Sequence, residues 1–449
     1  MDMLESIKSA GVVGAGGAGF PSHVKLNTRA EWFLVNAAEC EPMIEIDKYL
    51  CRSQPERIVQ TIMVIAGHLQ AEHVVVALKK KYHKEIQALQ SAIDKLGAPV
   101  RLFPMRTIYP AGDEQVIVRQ VTGKCVPERG LPLDVGCVVH NVGTVLAIAD
   151  ALEGKPVIDK ELSVTGAVAR PLIFRVPIGT SVSDILARAG VTESDYGIIL
   201  GGPMMGKLLK SEEEIQNSVI TKTTGNLLVL PREHDLFNKA SKSIERMKRQ
   251  AQAACIQCRM CTDLCPRNLM GHNVTPHLVM RNVWREDSVS DADEYLRCFG
   301  SSVNCCSCGA CELFSCPMNL SPRKMNDFVK GQMQKRGIQV EKNQSPKARA
   351  TEEIHVIPTE RLIARLGLGS YITHEEPKCH ELTPASCYIP LSQHIGKPAI
   401  PVVEKGIEVS RGALVAKACE GLSINIHTGI GGIVTEVTEK GIRICGKEA

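Results

Sequence analysis

No apolar run in the 449 residues approaches the roughly 18 that a membrane span requires; the longest candidates are short, such as Val74 to Leu78. A transmembrane segment is therefore not expected. A strong charge of one sign is also missing, since 53 basic and 49 acidic residues leave a formal net charge of +4, and nothing here makes a case for nucleic acid as a partner. The N-terminus, Met1-Asp2-Met3-Leu4-Glu5, lacks the basic stretch and following apolar stretch of a secretory leader. The 18 cysteines are therefore read as belonging to a reducing, cytoplasmic protein and not to a disulfide framework.

What the chain does have is a cysteine block. Nine of the 18 cysteines lie between Cys255 and Pro317 when Cys298 is left aside. The first run is Cys255-x2-Cys258-x2-Cys261-x3-Cys265-Pro266, a spacing in which three thiolates grip one [4Fe–4S] cube and the fourth reaches a second. A partner run follows: Cys305-x2-Cys308-x2-Cys311-x4-Cys316-Pro317, with one residue more than usual before its last cysteine. Crossed ligation gives one cube Cys255, Cys258, Cys261 and Cys316, and the other Cys305, Cys308, Cys311 and Cys265. Zinc sites more often pair two separated C-x2-C units. Cys306 and Cys298 both stand close enough in sequence to replace Cys305.

Length alone predicts several domains, because single cores rarely exceed about 250–300 residues. Gly14, Gly16 and Gly19 satisfy G-x-G-x-x-G within a glycine-dense loop, but no good strand precedes them and Pro21 follows, so an ordinary dinucleotide turn is not expected. A strand at Trp32–Val35, a helix at 56–70, a strand at His73–Leu78 and a helix at 84–96 then alternate as in a layered α/β domain. Taken alone, Glu39, Glu41, Asp113 and Glu114 read as solvated or capping acids. Short strands with one helix from Lys160 to Pro231 suggest a β-grasp. The basic helix of 236–254, with Lys239, Lys242, Arg246, Lys248 and Arg249, reads as a solvated face. Two blocks of short strands, near 395–412 and 426–434, suggest the two halves of a hammerhead.

Four ordered segments, Gly14 to Lys25, Asn36 to Pro42, Tyr109 to Glu114 and Asn141 to Thr144, resemble the FMN-binding segments of the flavin subunit of respiratory complex I and of the Rnf complex C subunit. The β-grasp stretch resembles their SLBB domain. Gln393 to Ala399 resembles the Rnf hammerhead segment, which stands first in that protein and last here; the order found here is similar to the cobalamin reductase family of propanediol-utilisation microcompartments. The resemblance implies a multidomain α/β and α+β chain: an FMN/NADH-binding α/β domain over 1–158, an SLBB β-grasp domain over 159–235, a helical ferredoxin domain with two [4Fe–4S] clusters over 236–330, a linker over 331–387, and a barrel-sandwich (hammerhead) domain over 388–449.

The resemblance also implies roles. Gly14, Gly16, Gly17 and Gly19 would wrap the phosphate side of a non-covalent FMN, with Lys25 supplying charge. Asn36 and Glu39 would meet the ring or ribityl groups, Gly112, Asp113 and Glu114 would line the pocket, and Asn141 with Thr144 would hold the phosphate end. Phe20 and Glu41 match positions that flank nicotinamide. Departures from the complex I pattern are Ala15, Ala38, Thr28, His140 and Gly143.

The implied activity is an NADH-dependent reduction of cobalamin through FMN and two [4Fe–4S] clusters, inside or at the shell of a microcompartment. The implied partners are NADH, cobalamin or a corrinoid-handling enzyme, and shell proteins. An Rnf-type NADH:ferredoxin subunit, or a microcompartment electron conduit without cobalamin chemistry, are the competing readings.

Overall fold

The structure, a computed structural model, describes residues 2–372 and 376–446. Met1 of the expected first domain, three residues of the expected linker and the last three of the expected hammerhead lie outside the described residues. The first sheet holds β1 (Trp32–Asn36), β2 (His73–Lys79), β3 (Arg101–Met105) and, after the short β4 (Ile108–Tyr109), β5 (Cys137–Asn141). Its order is β3-β2-β1-β5 and every pairing is parallel. Parallel strands are covered on both faces and so read as apolar runs. Phe33 and Val35 enter the core under the helix Pro55–Leu69, whereas Leu34 enters the opposite one with Val75 and Val139, as the two-residue period of a strand requires.

The glycine loop enters this sheet differently from a dinucleotide turn. It is preceded by the helix Met3–Ala10 and closed by a single bridge between Val13 and Pro21, so the absence of a feeding strand is borne out.

The second sheet combines β6 (Asp159–Gly166), β7 (Leu172–Pro177), β8 (Tyr196–Leu200), β9 (Lys207–Leu209) and β10 (Asn226–Pro231) around the helix Val182–Ala189, whose cap Ser181 accepts from Ser183 N–H. Leu162, Val164, Phe174, Val176, Ile185 and Val229 form its core. The stretch expected as linker is built into the neighbouring sheets. Its β11 (Ile357–Pro358) pairs with β4, and its β12 (Lys378–Glu381) extends the second sheet beside β7. Ile357 and Leu362 are buried in the same core as Tyr109, which holds that segment against the first unit.

The cysteine block lies among helices at Ile244–Ala254, Pro276–Asn282, Ala292–Phe299 and Pro322–Lys335. Two of these open on proline at the first helical position, where a missing N–H costs nothing. The basic face read as solvated is only partly so: Lys239 is buried on Glu312 O and Asn319, and Lys248 on Glu286 and Asp287. The C-terminal unit is a sandwich of two small sheets, β13-β19-β18-β15 and β14-β16-β17, made from Ser386–Pro390 (β13), Ile400–Pro401 (β14), Glu408–Val409 (β15), Leu414–Lys417 (β16), Ile426–His427 (β17), Gly432–Val437 (β18) and Gly441–Cys445 (β19). Ile389, Val415, Val434 and Ile444 fill it.

One buried ion pair joins the first sheet to the cysteine block. Both terminal nitrogens of Arg267 donate to Asp113, each at 2.8 Å. Arg267→Met should destabilise the protein by about 3–5 kcal/mol, because it leaves the Asp113 charge buried and unmatched. Urea unfolding checks this, and adding Asp113→Asn to that variant should recover part of the loss.

Candidate functional site

The carboxyl ends of β1 and β5 and the loops beside them make the first part of the site. Asn36, last in β1, donates to Gly112 O at 2.9 Å and accepts from Ala38 N–H at 3.0 Å, so one side chain ties two loops together. Gly112 has no room for a side chain: a Cβ there would sit 2.7 Å from Ala38 O. Asp113 caps the helix Glu114–Thr122, accepting from Gln115 and Val116 N–H. Burial would raise its carboxyl, but Arg267 wins and holds it below the usual range. The capping reading of Asp113 is thus correct, while Glu39 and Glu41 are half-buried and each accepts a backbone N–H, from Glu41 and Met204 respectively. Glu114 pairs with Lys25 at 2.7 Å.

Asn141, last in β5, caps the helix Val142–Leu152 through Gly143 N–H and donates to Asp47 at 2.8 Å. Thr144 accepts from Ala15 N–H at 2.9 Å, which pins the glycine loop to this helix start. Gly16 rests on Asn141, whose Cβ would be 3.4 Å from an added methyl. A cavity of about 450 Å³ opens here, walled by Ala15, Gly16, Glu39, Asp47, Asn141 and Gly143, with Lys160 and Lys222 among the residues that complete the wall. Of the residues expected around the flavin, it brings together Gly16, Glu39 and Asn141. Gly14, Gly17, Gly19, Phe20, Lys25, Asn36, Gly112, Asp113, Glu114 and Thr144 stand off its wall, in the loops and element ends around it.

Glu41 faces away from this cavity. It accepts from Met204 N–H at 2.9 Å, its other oxygen is buried without a partner, and burial pushes its carboxyl up to about 8. Three further groups were not nominated from sequence. Burial pushes Lys222 down to about 7 and Asp47 up to about 7, and His140 is buried with Nε2 unpartnered and its pKa well below the usual value. Asp47, Lys160 and Lys222 gave no local signal, since each is one charged residue in a helix's first turn, a strand end and a turn respectively. A wall of lysines and arginines interspersed with carboxylates, next to a glycine-dense loop, suits a cofactor that carries both phosphate and hydroxyl groups.

The cysteines form two sets. Cys255, Cys258, Cys261 and Cys316 line one small cavity together with Pro317 and Pro322. Burial pushes the Cys261 thiol up to about 12, and the thiols of Cys316, Cys255 and Cys258 add to it. Burial likewise pushes Cys265 up to about 12, with Cys306 and Cys305 beside it. Cys311 is raised by burial, then by Cys305 and Cys265. Both Cys305 and Cys306 thus neighbour Cys265, whereas Cys298 points into the helical core near Arg285. Thiols this reluctant to ionise become ligands when metal charge displaces their protons.

The two cysteine loops share one backbone. Gln257 and Ser307 are both left-handed, at φ 55° and 56°, as are Arg259 and Gly309, at φ 65° and 80°. Such turns aim successive N–H groups inward at an anionic centre. The extra residue before Cys316 is absorbed by a π-helical turn over Ala310–Ser315, a feature common at functional sites.

Known proteins share this arrangement. Residues 7–150 match the Nuo51 FMN-binding domain, 162–208 the SLBB domain, 254–321 the 4Fe-4S dicluster domain and 370–447 the RnfC barrel sandwich hybrid domain. The chain is 41% identical to the cobalamin reductase PduS of Citrobacter freundii over 98% of its own length and 95% of that protein's. It is 40% identical to PduS of Salmonella typhimurium, over 99% and 96%. With the C subunit of the proton-translocating ferredoxin:NAD(+) oxidoreductase complex of Clostridium ljungdahlii it shares 35% identity over 60% of this chain and 56% of that one.

Two outcomes are expected. If each cysteine set holds one cube, Cys261→Ala should lower bound iron to about half that of the reconstituted wild type, as measured by iron assay. Glu41 has a native pKa raised from its ordinary value of about 4.3, so the stability it contributes is present at low pH and is lost as pH rises towards about 8. Urea unfolding of Glu41→Gln against wild type should therefore show the glutamine gaining on the native residue between pH 5 and pH 8.5.

Proposed function

The chain belongs to the family of the cobalamin reductase PduS, and from that premise we propose that it carries electrons from NADH through FMN and two [4Fe–4S] clusters to cobalamin. Flavin and clusters are complementary: FMN, when bound, takes up a hydride as an electron pair and releases electrons singly, as iron–sulfur centres require. The observation that carries the reading is the way the two cysteine sets are mounted. The set with Cys265, Cys305, Cys308 and Cys311 faces the flavin-side loops: Arg267, two residues beyond Cys265, holds Asp113, and Tyr109 O–H donates to Cys308 O. The set with Cys258 lies at the surface, where that cysteine is exposed. Electrons would enter by the inner set and leave by the outer one.

The chain's own residues supply position and charge. Gly14, Gly16, Gly17 and Gly19 let backbone approach the cofactor's phosphate side, and Asn141 and Thr144 hold that loop in place. Lys25 shares its charge with Glu114, so Lys160 in the cavity wall joins it as a candidate for balancing the phosphate. Asn36 fixes the Gly112 loop, and Glu39, half-buried in the cavity wall with its carboxyl raised by desolvation, can hold a proton beside the flavin. Asp113 acts by anchoring Arg267. Phe20 and Glu41 are proposed to flank NADH, with Glu41 reached through the Met204 loop.

The end-to-end match with the reductases supports this reading over an Rnf-type subunit, whose similarity stops at 60% of the chain. Among the described residues no helix is long and apolar enough to cross a membrane. The proposed setting is the interior or the shell of a microcompartment, with shell proteins as neighbours.

The test is anaerobic reconstitution with iron, sulfide and FMN, then addition of NADH while flavin absorbance, cluster EPR and cob(III)alamin loss are followed together. Bleaching of flavin, reduction of clusters and loss of cob(III)alamin are expected. In Cys261→Ala the flavin should still bleach while corrinoid reduction is lost. Reduced clusters beside an untouched corrinoid would overturn the reading in favour of an electron conduit.

A further inference from the structure

A second cavity, of about 360 Å³, opens in the cysteine-bearing unit, walled by Arg259, Thr262, Asp263, Arg349, Thr351 and His355. It adjoins the outer cysteine set directly. Arg259 lines both this groove and the cavity of Cys255, Cys258, Cys261 and Cys316. Thr262, next to Cys261, hydrogen-bonds His277, which also lines the outer set's cavity. Two arginines against one aspartate leave the groove cationic. The Arg259–Asp263 contact is long, at 3.8 Å, and the Arg259 side chain stays 60% exposed. Arg349 commits only its Nε, to Asn268 O at 2.9 Å, leaving the guanidinium's outer edge free of protein hydrogen bonds among the described residues.

Apolar groups adjoin this polar wall. Ile354, beside His355, is 74% exposed, and Met260, beside Arg259, is 42% exposed. Ile256 and Met318 at the outer set are exposed as well. The volume is at the small end of ligand sites, roughly 300–1,000 Å³, too small to enclose a corrinoid whole. Its chemistry fits one part of it, the phosphodiester of a nucleotide tail between two guanidiniums, with an apolar macrocycle edge resting outside.

We propose that this groove is the cobalamin-binding site, in which Arg259 and Arg349 take the phosphodiester and Met260 and Ile354 support the macrocycle beside the outer cluster. This rests on the reductase reading above and places its acceptor. One NADH supplies two electrons and two cob(III)alamins each take one: NADH and two aquacob(III)alamins give NAD⁺, one proton, two cob(II)alamins and two waters, the cobalt–water bond breaking as each cobalt is reduced. No bond to the protein forms.

The experiment uses the reconstituted full chain. Arg349→Gln and Arg259→Gln are surface changes, and each removes a charge-assisted hydrogen bond, so each should raise KM for hydroxocobalamin and its dissociation constant by equilibrium dialysis about tenfold. Arg170→Gln, on an exposed loop of the second sheet's unit, should leave both values unchanged. Cobinamide, which lacks the nucleotide tail, should bind the wild type more weakly and lose nothing further in Arg349→Gln. Wild type that reduces cobalamin while both arginine variants match it would overturn the site and leave the reductase reading standing. Wild type that binds cobalamin with the expected arginine dependence yet does not reduce it would keep the site and overturn the reading. Absence of both binding and reduction would overturn both.

Discussion

The architecture depends on the pair between Arg267 and Asp113. Burying two charges is costly, and the cost is recovered only when every remaining lone pair and proton finds a partner. Asp113 meets that condition by accepting from Gln115 N–H, Val116 N–H and both terminal nitrogens of Arg267. Arg267 lies two residues beyond Cys265, so the cap of a helix in the first unit sets the position of a cysteine loop more than 150 residues further along the chain. An aliphatic contact there would tolerate sliding. A bidentate pair fixes both distance and angle, which electron transfer between fixed centres demands.

Around that pair, the cysteine unit repeats itself. The left-handed positions at 257 and 259 recur at 307 and 309, but only the second loop carries glycine, at Gly309, for the steric reason that a Cβ there would sit 3.1 Å from Met204 O. Arg259 holds the same conformation in the outer loop without that constraint, and a non-glycine residue in this region is mildly strained. The difference between the two loops thus follows their surroundings: the inner loop is pressed against the second sheet's Met204 loop, and the outer loop is free to present an arginine to solvent.

Much of this was legible beforehand where a short-range rule governs it. The cysteine spacings, the apolar run of β2 and the glycine density are all local, and the structure gathers those cysteines into two sets and forms that strand. The extra residue before Cys316 was legible as an anomaly, but its absorption by a π turn depends on hydrogen bonds that no spacing rule encodes. What escaped was made by distance along the chain. β11 is too short and β12 too polar to read as strands, and they become strands only because β4 and β7 offer unpaired edges. Lys239 and Lys248 look like members of a solvated face until partners 38 to 80 residues away in sequence bury them. Asp47, Lys160 and Lys222 carry no motif at all.

Lys222 also explains how the hammerhead can sit last in this chain and still serve the flavin loop. Its buried amine donates to Gly11 O at 2.6 Å and to Asn425 O at 3.3 Å, and its own N–H donates to Gln393. Three domains meet there through loops. On the other side of the glycine loop, a Cβ at Gly19 would lie 3.1 Å from His394 Cα and 3.2 Å from Gln393 O. The Gln-His-Ile-Gly segment is therefore packed against the loop that the flavin-binding segments place at the mouth of the site. Loop contacts of this kind are set by where a domain docks and not by when it is synthesised, so moving the hammerhead from one end of the chain to the other preserves the junction provided its linker reaches. The described parts of the stretch from 331 to 387 contribute β11 and β12 to the sheets on either side.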